Sequence, residues 1–162
     1  MSAPVTTGGC LCGAVRYEAD VPPSRTSYCH CRMCQRHSGS AVLVYTNFPT
    51  ASFRFVKGRP RLYRSSDIAE RGFCADCGSP LTFQYFARQE RIAIAVGSLD
   101  HPEAAQPEVH WGVESQLSWL AIADDLPRRR SDEDDLVAGA VTPRAGVAGA
   151  LPASRGRATG WP

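Results

Sequence analysis

Seven cysteines occur in this 162-residue chain, and all of them lie between residues 10 and 77. Cysteine thiolates bind soft metal ions and act as nucleophiles, so their spacing is the first guide to the chemistry. An odd number of cysteines cannot all form disulfides. Residues 1–10 show no charged start and no apolar run of a secretory signal. We therefore expect a cytoplasmic protein whose cysteines bind metal.

The spacing of the cysteines predicts one closed and one open zinc site. Structural zinc takes four protein ligands, whereas catalytic zinc keeps one position free for water or substrate. Two short pairs from distant segments predict the closed site, which consists of Cys10, Cys12, Cys74 and Cys77. The open site then consists of Cys29, Cys31 and Cys34. Gly13 and Gly78 directly follow a cysteine pair and fit the tight turns that such pairs form.

Three other interpretations of the cysteines remain open at this point. Disulfides would leave one thiol unpaired, and an iron–sulfur cluster would use the same sulfurs in an unusual spacing. Alternatively, His30 or His37 supplies a fourth ligand to the second zinc, which would close that site. With two closed sites the protein would be a zinc-stabilised β binding module without catalytic activity.

Several polar residues are candidates for contacting a substrate near the open site. Arg32 and Arg36 lie in and beside the cluster and are predicted to bind substrate carboxylates through paired hydrogen bonds. The competing interpretation is that both are solvated surface arginines. His30 is a candidate proton shuttle or a packing residue. His110 and Asp100 are expected in turns or on the surface.

The elements that position these residues are predicted to be mainly β-strands. Alternating or short apolar patterns predict strands at residues 14–18, 41–45, 52–56, 61–64, 81–85 and 91–96. Residues 57–60 suit a tight turn, and residues 86–90 suit a hairpin loop between an antiparallel pair. Residues 32–37 are the best helical segment. We expect a mainly β fold of small antiparallel sheets with short helical turns only.

Charge and composition divide the chain near Pro127. Residues 128–162 carry six arginines and four acidic residues, so the formal net charge of +2 belongs to them and residues 1–127 are neutral. We predict a zinc-binding β domain at 1–127 and a disordered Ala/Gly/Pro/Arg-rich tail at 128–162. The neutral body argues against nucleic-acid binding, and no apolar run is long enough to span a membrane. The excess of arginine over lysine suggests a bacterial source.

Several segments of the chain resemble the glutathione-dependent formaldehyde-activating enzyme family, which includes the centromere protein V type. The similar segments are residues 8–17, 29–41, 71–81 and 96–100, with weaker similarity at 107–110, Trp119 and 125–127. The resemblance extends from about Gly8 to Pro127 and depends mainly on the three cysteine segments, in their order. The tail lies outside it.

The resemblance implies a β-tent fold with two zinc ions. It assigns the structural ion to Cys10, Cys12, Cys74 and Cys77, and the catalytic ion to Cys29, Cys31 and Cys34. The implied activity is that of a carbon–sulfur lyase, in which formaldehyde and the glutathione thiol form S-hydroxymethylglutathione. The implied partners are small thiols and aldehydes, with glutathione as a candidate co-substrate. The oligomeric state is left open.

Overall fold

A computed structural model describes residues 6–138 as β-strands joined by short helices and loops. The strands are β1 (Thr6–Gly9), β2 (Arg16–Ala19), β3 (Ser24–Cys29), β4 (Leu43–Pro49), β5 (Phe53–Lys57), β6 (Arg61–Arg64), β7 (Ala69–Phe73), β8 (Pro80–Tyr85), β9 (Arg91–Ala95), β10 (Val109–Trp111) and β11 (Arg128–Arg129). The α-helices are α1 (Arg32–Ser38) and α2 (Asp135–Ala138). Single 3₁₀ turns cover Thr50–Ser52, Val96–Ser98, Pro102–Ala104, Val113–Ser115 and Ser131–Glu133.

The strands form two sheets. The small sheet has the order β1-β2-β5 and is antiparallel throughout. The large sheet has the order β11-β10-β3-β4-β9-β8-β7-β6. Its pairs are antiparallel except for those of β10, which runs parallel to both β3 and β11. The prediction of a mainly β fold with short helical turns is confirmed.

The large sheet separates two groups of buried side chains. Along β9, Ile92 and Ile94 join the larger core, whereas Ala93 and Ala95 join the smaller one, because successive side chains of a strand point to opposite faces. Burial on both faces explains why β9 is an almost continuous apolar run. The larger core also contains Tyr17, Phe48 and Leu81. The smaller core surrounds Cys29 and Cys34.

The predicted strands are partly paired as expected. Residues 81–85 and 91–96 correspond to β8 and β9, which form the expected antiparallel pair. The tight turn at residues 57–60 does not join a hairpin: β5 pairs with β2 in the small sheet, and β6 pairs with β7 in the large one. The physical reason is packing, since Phe53 and Phe55 of β5 contact Tyr17 in the larger core while β6 lies at an exposed edge.

Ordered structure continues past the boundary that we expected at Pro127. Strand β11 pairs with β10, and the 3₁₀ turn Ser131–Glu133 and α2 follow it. The pairing of β11 with β10 and the ion pair between Arg88 and Asp134 hold these residues in place, and composition alone does not reveal such contacts. Residues 128–138 therefore differ from the predicted tail. Residues 139–162 lie outside the described residues, so the division into domain and tail stays a prediction. Between residues 6 and 138, no helix has the length and apolarity to cross a bilayer.

Candidate active site

The structure brings the seven cysteines into the two groups predicted from their spacing. The four-cysteine cluster contains Cys10, Cys12, Cys74 and Cys77, and the three-cysteine cluster contains Cys29, Cys31 and Cys34. Within each cluster all sulfurs lie within 4.8 Å of one another. The Sγ–Sγ distance is 3.7 Å between Cys12 and Cys74 and 3.3 Å between Cys29 and Cys34. Sulfurs about 2.3 Å from a tetrahedral zinc would be about 3.8 Å apart, so both clusters fit zinc.

Two similar turns build the four-cysteine cluster. One lies between β1 and β2, and the other lies between β7 and β8. Gly13 and Gly78 have φ angles of +74° and +75°, which glycine adopts without a steric penalty. Their amides donate to the carbonyl oxygens of Cys10 and Cys74 at 3.0 and 2.9 Å. Because one turn belongs to the small sheet and the other to the large sheet, this cluster ties the two sheets together.

The three-cysteine cluster is built where β3 ends and α1 begins. Cys29 is the last residue of β3, and Cys31 is the N-cap of α1. The Cys31 sulfur accepts a hydrogen bond from the Cys34 amide at 3.3 Å. Hydrogen bonding to the thiols of Cys29 and Cys34 lowers the pKa of Cys31 to about 3. The cluster thus stabilises a thiolate, which is the form that binds a metal ion.

A cavity of about 340 Å³ opens beside the three-cysteine cluster. Alternate residues of β3, β4, β7 and β8 point into it from one face of the large sheet. Its aromatic side chains are Tyr45, Phe83, Tyr85 and Trp111. All three cysteines of this cluster line the cavity, whereas no member of the four-cysteine cluster does. The size and apolar character suit a small-molecule site.

Arg71 and Tyr45 are buried polar residues of this cavity that the sequence analysis did not single out. Arg71 is 2% exposed, with Nη2 3.4 Å from the Cys34 sulfur and its guanidinium 4.9 Å from the ring centroid of Phe83. Burial opposes the charge on Arg71, but the neighbouring Cys34 sulfur outweighs it and raises the pKa. Among the described residues, Arg71 Nε and Tyr45 Oη have no hydrogen-bond partner. Had residues 69–73 been recognised as a strand, the alternation of side chains would have placed Arg71 on the same face as Ala69, which also lines the cavity.

The two arginines predicted to bind substrate lie elsewhere. Arg32 and Arg36 are exposed on α1, and neither lines the cavity. The Arg32 guanidinium donates to the side-chain oxygen of Gln35. The structure therefore does not place these two residues in the cavity wall, and their role in substrate binding stays a prediction.

The histidines form a separate buried chain. His30 Nε2 lies 2.8 Å from His110 Nδ1, and His110 Nε2 lies 3.0 Å from the Asp124 carboxylate. Both rings are fully buried, so the expectation that His110 lies in a turn or on the surface is wrong. It is buried because its ring stacks on that of Tyr28 at a centroid distance of 4.8 Å and meets the His30 ring edge to edge through their hydrogen bond. Within residues 6–138, neither His30 nor His37 joins the three-cysteine cluster as a ligand group, which favours the open site over the closed alternative.

Comparison with known proteins gives the family. A family model described as glutathione-dependent formaldehyde-activating enzyme matches residues 5–115. The chain belongs to this family. An uncharacterized lyase of Schizosaccharomyces pombe is 36% identical over 84 residues, which cover 51% of this chain and 59% of that protein. The chain thus matches about three fifths of the length of this relative.

Among solved structures, one similar chain is a bacterial protein. The crystal structure of a Rhodobacter sphaeroides protein has a TM-score of 0.48 and 21% sequence identity, and the alignment covers 76% of this chain and 99% of that one. The family match of the present chain covers residues 5–115, and both of its cysteine clusters lie inside this range. Residues 131–138, which also contribute to the cavity, lie beyond it.

Proposed function

We propose that this protein is a zinc-dependent carbon–sulfur lyase that acts on the adduct of a small aldehyde and a thiol. The first pair to test is formaldehyde with glutathione, whose product is S-hydroxymethylglutathione. The observation that carries the proposal is that the three-cysteine cluster opens onto the cavity while the four-cysteine cluster does not. Membership of the family and the name of the S. pombe relative support the same class of reaction.

Zinc is the metal that the two clusters suit best. Cys10, Cys12, Cys74 and Cys77 would hold a structural ion, and Cys29, Cys31 and Cys34 would hold a catalytic one. Thiolates are soft ligands, and three of them leave one tetrahedral position free. When bound there, zinc supplies a Lewis acid that favours the deprotonated form of a thiol and polarises a carbonyl group.

The protein's own groups would bind the oxygen of the aldehyde. In the addition, the thiol sulfur bonds to the carbonyl carbon, the C=O π bond breaks, and the thiol proton ends on the oxygen; the lyase direction reverses these changes. Negative charge develops on that oxygen, so a positioned donor stabilises the transition state. Tyr45 Oη and Arg71 Nε are buried donors of the cavity residues with no partner among the described residues. Burial raises the pKa of Tyr45, so its hydroxyl keeps its proton.

An NMR exchange experiment tests the proposal. We expect zinc-loaded protein to accelerate the exchange between ¹³C-formaldehyde, glutathione and their adduct above the spontaneous rate, and Arg71→Gln to reduce that acceleration. The matched control is Arg54→Gln, since Arg54 lies on the small sheet and pairs with Asp20 and Glu18. No acceleration would discard the formaldehyde–glutathione pair. If thiols also leave the absorption of the cobalt-substituted protein unchanged, the enzyme proposal fails and a zinc-stabilised binding module replaces it.

A further inference from the structure

We propose that residues 131–138, called the wall segment below, select the substrates of the cavity and favour thiols with a compact apolar body. The proposal rests on the proposed lyase function, because it concerns the same cavity. It goes beyond the family assignment, since the wall segment lies outside the matched residues 5–115.

The wall segment forms one side of the cavity. Ser131, Asp134 and Val137 line it, and each is separated from the next by three positions in the chain. The reacting end of the cavity is formed by the cysteines of β3 and α1 in the matched range. A substrate bound at these sulfurs therefore shares the cavity with a surface that belongs to a different part of the chain.

An ion pair holds the wall segment in place. Arg88 donates through both terminal nitrogens to the Asp134 carboxylate, at 2.8 and 3.1 Å. The Asp134 side chain is only 16% exposed and also accepts from the Leu136 amide at 2.9 Å. The Arg88 guanidinium lies 5.7 Å from the ring centroid of Tyr85, which itself lines the cavity. Breaking the Arg88–Asp134 ion pair would therefore loosen the wall segment next to Tyr85.

A second contact fixes the start of the wall segment. The Ser131 backbone amide donates to the Glu114 carboxylate at 3.2 Å, and the Ser131 hydroxyl donates to the same carboxylate. Together with the pairing of β11 and β10 just before it, this contact fixes the start of the segment, while the Arg88–Asp134 ion pair holds its middle.

The chemistry of the wall indicates the kind of thiol that fits. The only charged residues lining the cavity within the described part of the chain are Arg71 and Asp134. Arg71 Nη2 contacts the Cys34 sulfur, Arg71 Nε is the donor proposed above for the aldehyde oxygen, and the Asp134 carboxylate is paired with Arg88. The carboxylates and ammonium of a peptide thiol would therefore lose water without gaining a full set of partners, which is costly. An apolar body gains contact with the aromatic side chains and Val137 instead.

Two measurements on the zinc-loaded protein of 162 residues test the role of the wall segment. Asp134→Asn removes the charge and keeps the shape and an acceptor for the Leu136 amide. Exchanging the charges with Arg88→Asp and Asp134→Arg together restores an ion pair. The control is Arg54→Asp, since Arg54 is 48% exposed in a surface ion pair and Arg88 is 44% exposed.

The first measurement is acrylamide quenching of Trp111 in a background with Trp119→Phe and Trp161→Phe. Trp111 lines the cavity, and the chain has three tryptophans in all. We expect the quenching constant to rise about two- to fivefold in Asp134→Asn, because losing a partly exposed ion pair changes the opening equilibrium of the wall segment by about that factor. In the charge-exchanged protein the constant should return toward the wild-type value. An unchanged constant in Asp134→Asn would overturn the proposal.

The second measurement compares kcat/KM for the formaldehyde adducts of benzyl mercaptan and glutathione. We expect the apolar thiol to be preferred by about tenfold or more, equivalent to one buried polar group left without a partner, and Asp134→Asn to reduce this preference through KM. An equal or reversed preference in the wild-type protein overturns the proposal. If no thiol adduct reacts while quenching still depends on Asp134, the lyase function is what fails, and the inference about substrates fails with it.

Discussion

The two cysteine clusters use the same ligand chemistry in different surroundings. The four-cysteine cluster joins turns of the two sheets and faces solvent on one side, where Cys12 is exposed and Leu11 is 89% exposed. The three-cysteine cluster lies on the other face of the large sheet, in the smaller core and against the cavity. The first cluster would supply all four ligands of a tetrahedral ion, whereas the second would leave one position open toward the cavity. The number of ligands and what lies beside them, rather than the ligand type, separate a structural site from a catalytic one.

Charge is also stabilised differently in the two clusters. The hydrogen bond from the Ser79 hydroxyl lowers the pKa of Cys77 to about 6 in the four-cysteine cluster. In the three-cysteine cluster the buried cation Arg71 lies against Cys34. A buried arginine is costly unless it is paired, so its position beside the cavity indicates a role in the chemistry.

The largest effect is expected from Cys74→Ala. Cys74 is 1% exposed and belongs to the cluster that ties the small sheet to the large one. Because binding of a structural zinc is coupled to folding, we expect the variant to be largely unfolded by circular dichroism and to lose its metal. A folded Cys74→Ala protein with a native melting temperature would show that this cluster is not structural and would remove the contrast between the two sites.

A different outcome is expected from Cys31→Ala. Cys31 lines the cavity at the beginning of α1 and does not join the two sheets. We expect loss of measurable lyase activity and of the second zinc, while the melting temperature falls by only a few degrees. Activity assays, metal analysis and calorimetry on the same preparation check this. If Cys31→Ala unfolds the protein as completely as Cys74→Ala does, both clusters are structural and the binding module is the better interpretation.

Arg71→Lys tests the electrostatic part of the comparison. Lysine keeps the charge but cannot reproduce the planar guanidinium that contacts both Cys34 and the Phe83 ring. We expect kcat/KM to fall about 10- to 100-fold, corresponding to the loss of one or two charge-assisted hydrogen bonds. The comparison variant is Arg36→Lys on the exposed side of α1. A larger effect at Arg36 than at Arg71 would support the substrate-binding role that the sequence predicts for Arg36.

Local spacing predicted the clusters, but it could not predict what surrounds them. The division of the cysteines follows from short pairs and the glycines after them, and the strands at residues 81–85 and 91–96 follow from local alternation. Arg71 lies on β7, whose sequence mixes glycine with charged residues and shows no clear alternation. Its burial depends on neighbours from β8 and α1 that are distant in the sequence. His110 was missed for the same reason, since only Tyr28, His30 and Asp124 make its position buried and polar.

The wall segment shows a second limit of composition. Residues 128–135 consist almost entirely of charged residues, a pattern typical of a solvated tail. The structure orders them through partners at long sequence distance, above all Arg88, which lies 46 residues before Asp134. A charge run reveals which residues are able to form ion pairs, but not whether a partner is within reach. Whether Asp134 has a partner depends on the fold, which places Arg88, in the loop after β8, beside the cavity.

The smallest effect is expected at Asp100, which reinforces the connection made by the four-cysteine cluster. Asp100 accepts hydrogen bonds from Arg16 of β2 and from the Thr7 hydroxyl of β1, and these lower its pKa from 3.8 to about 2. A pKa lowered by folding stabilises the protein above the unfolded value, and this contribution is lost as the pH falls toward 2. Both side chains are about a third exposed, so solvent screening limits the contribution to about 0.5 kcal/mol.

Asp100→Asn should therefore lower the free energy of unfolding by about this amount at pH 7 and by less at pH 3, as measured by urea denaturation. The matched control is Asp67→Asn, because Asp67 pairs with Arg64 at the surface with both side chains more than 60% exposed. We expect little effect of that substitution on the free energy of unfolding, because solvent screens so exposed a pair. If Asp100→Asn destabilises the protein equally at both pH values, packing rather than charge accounts for its effect.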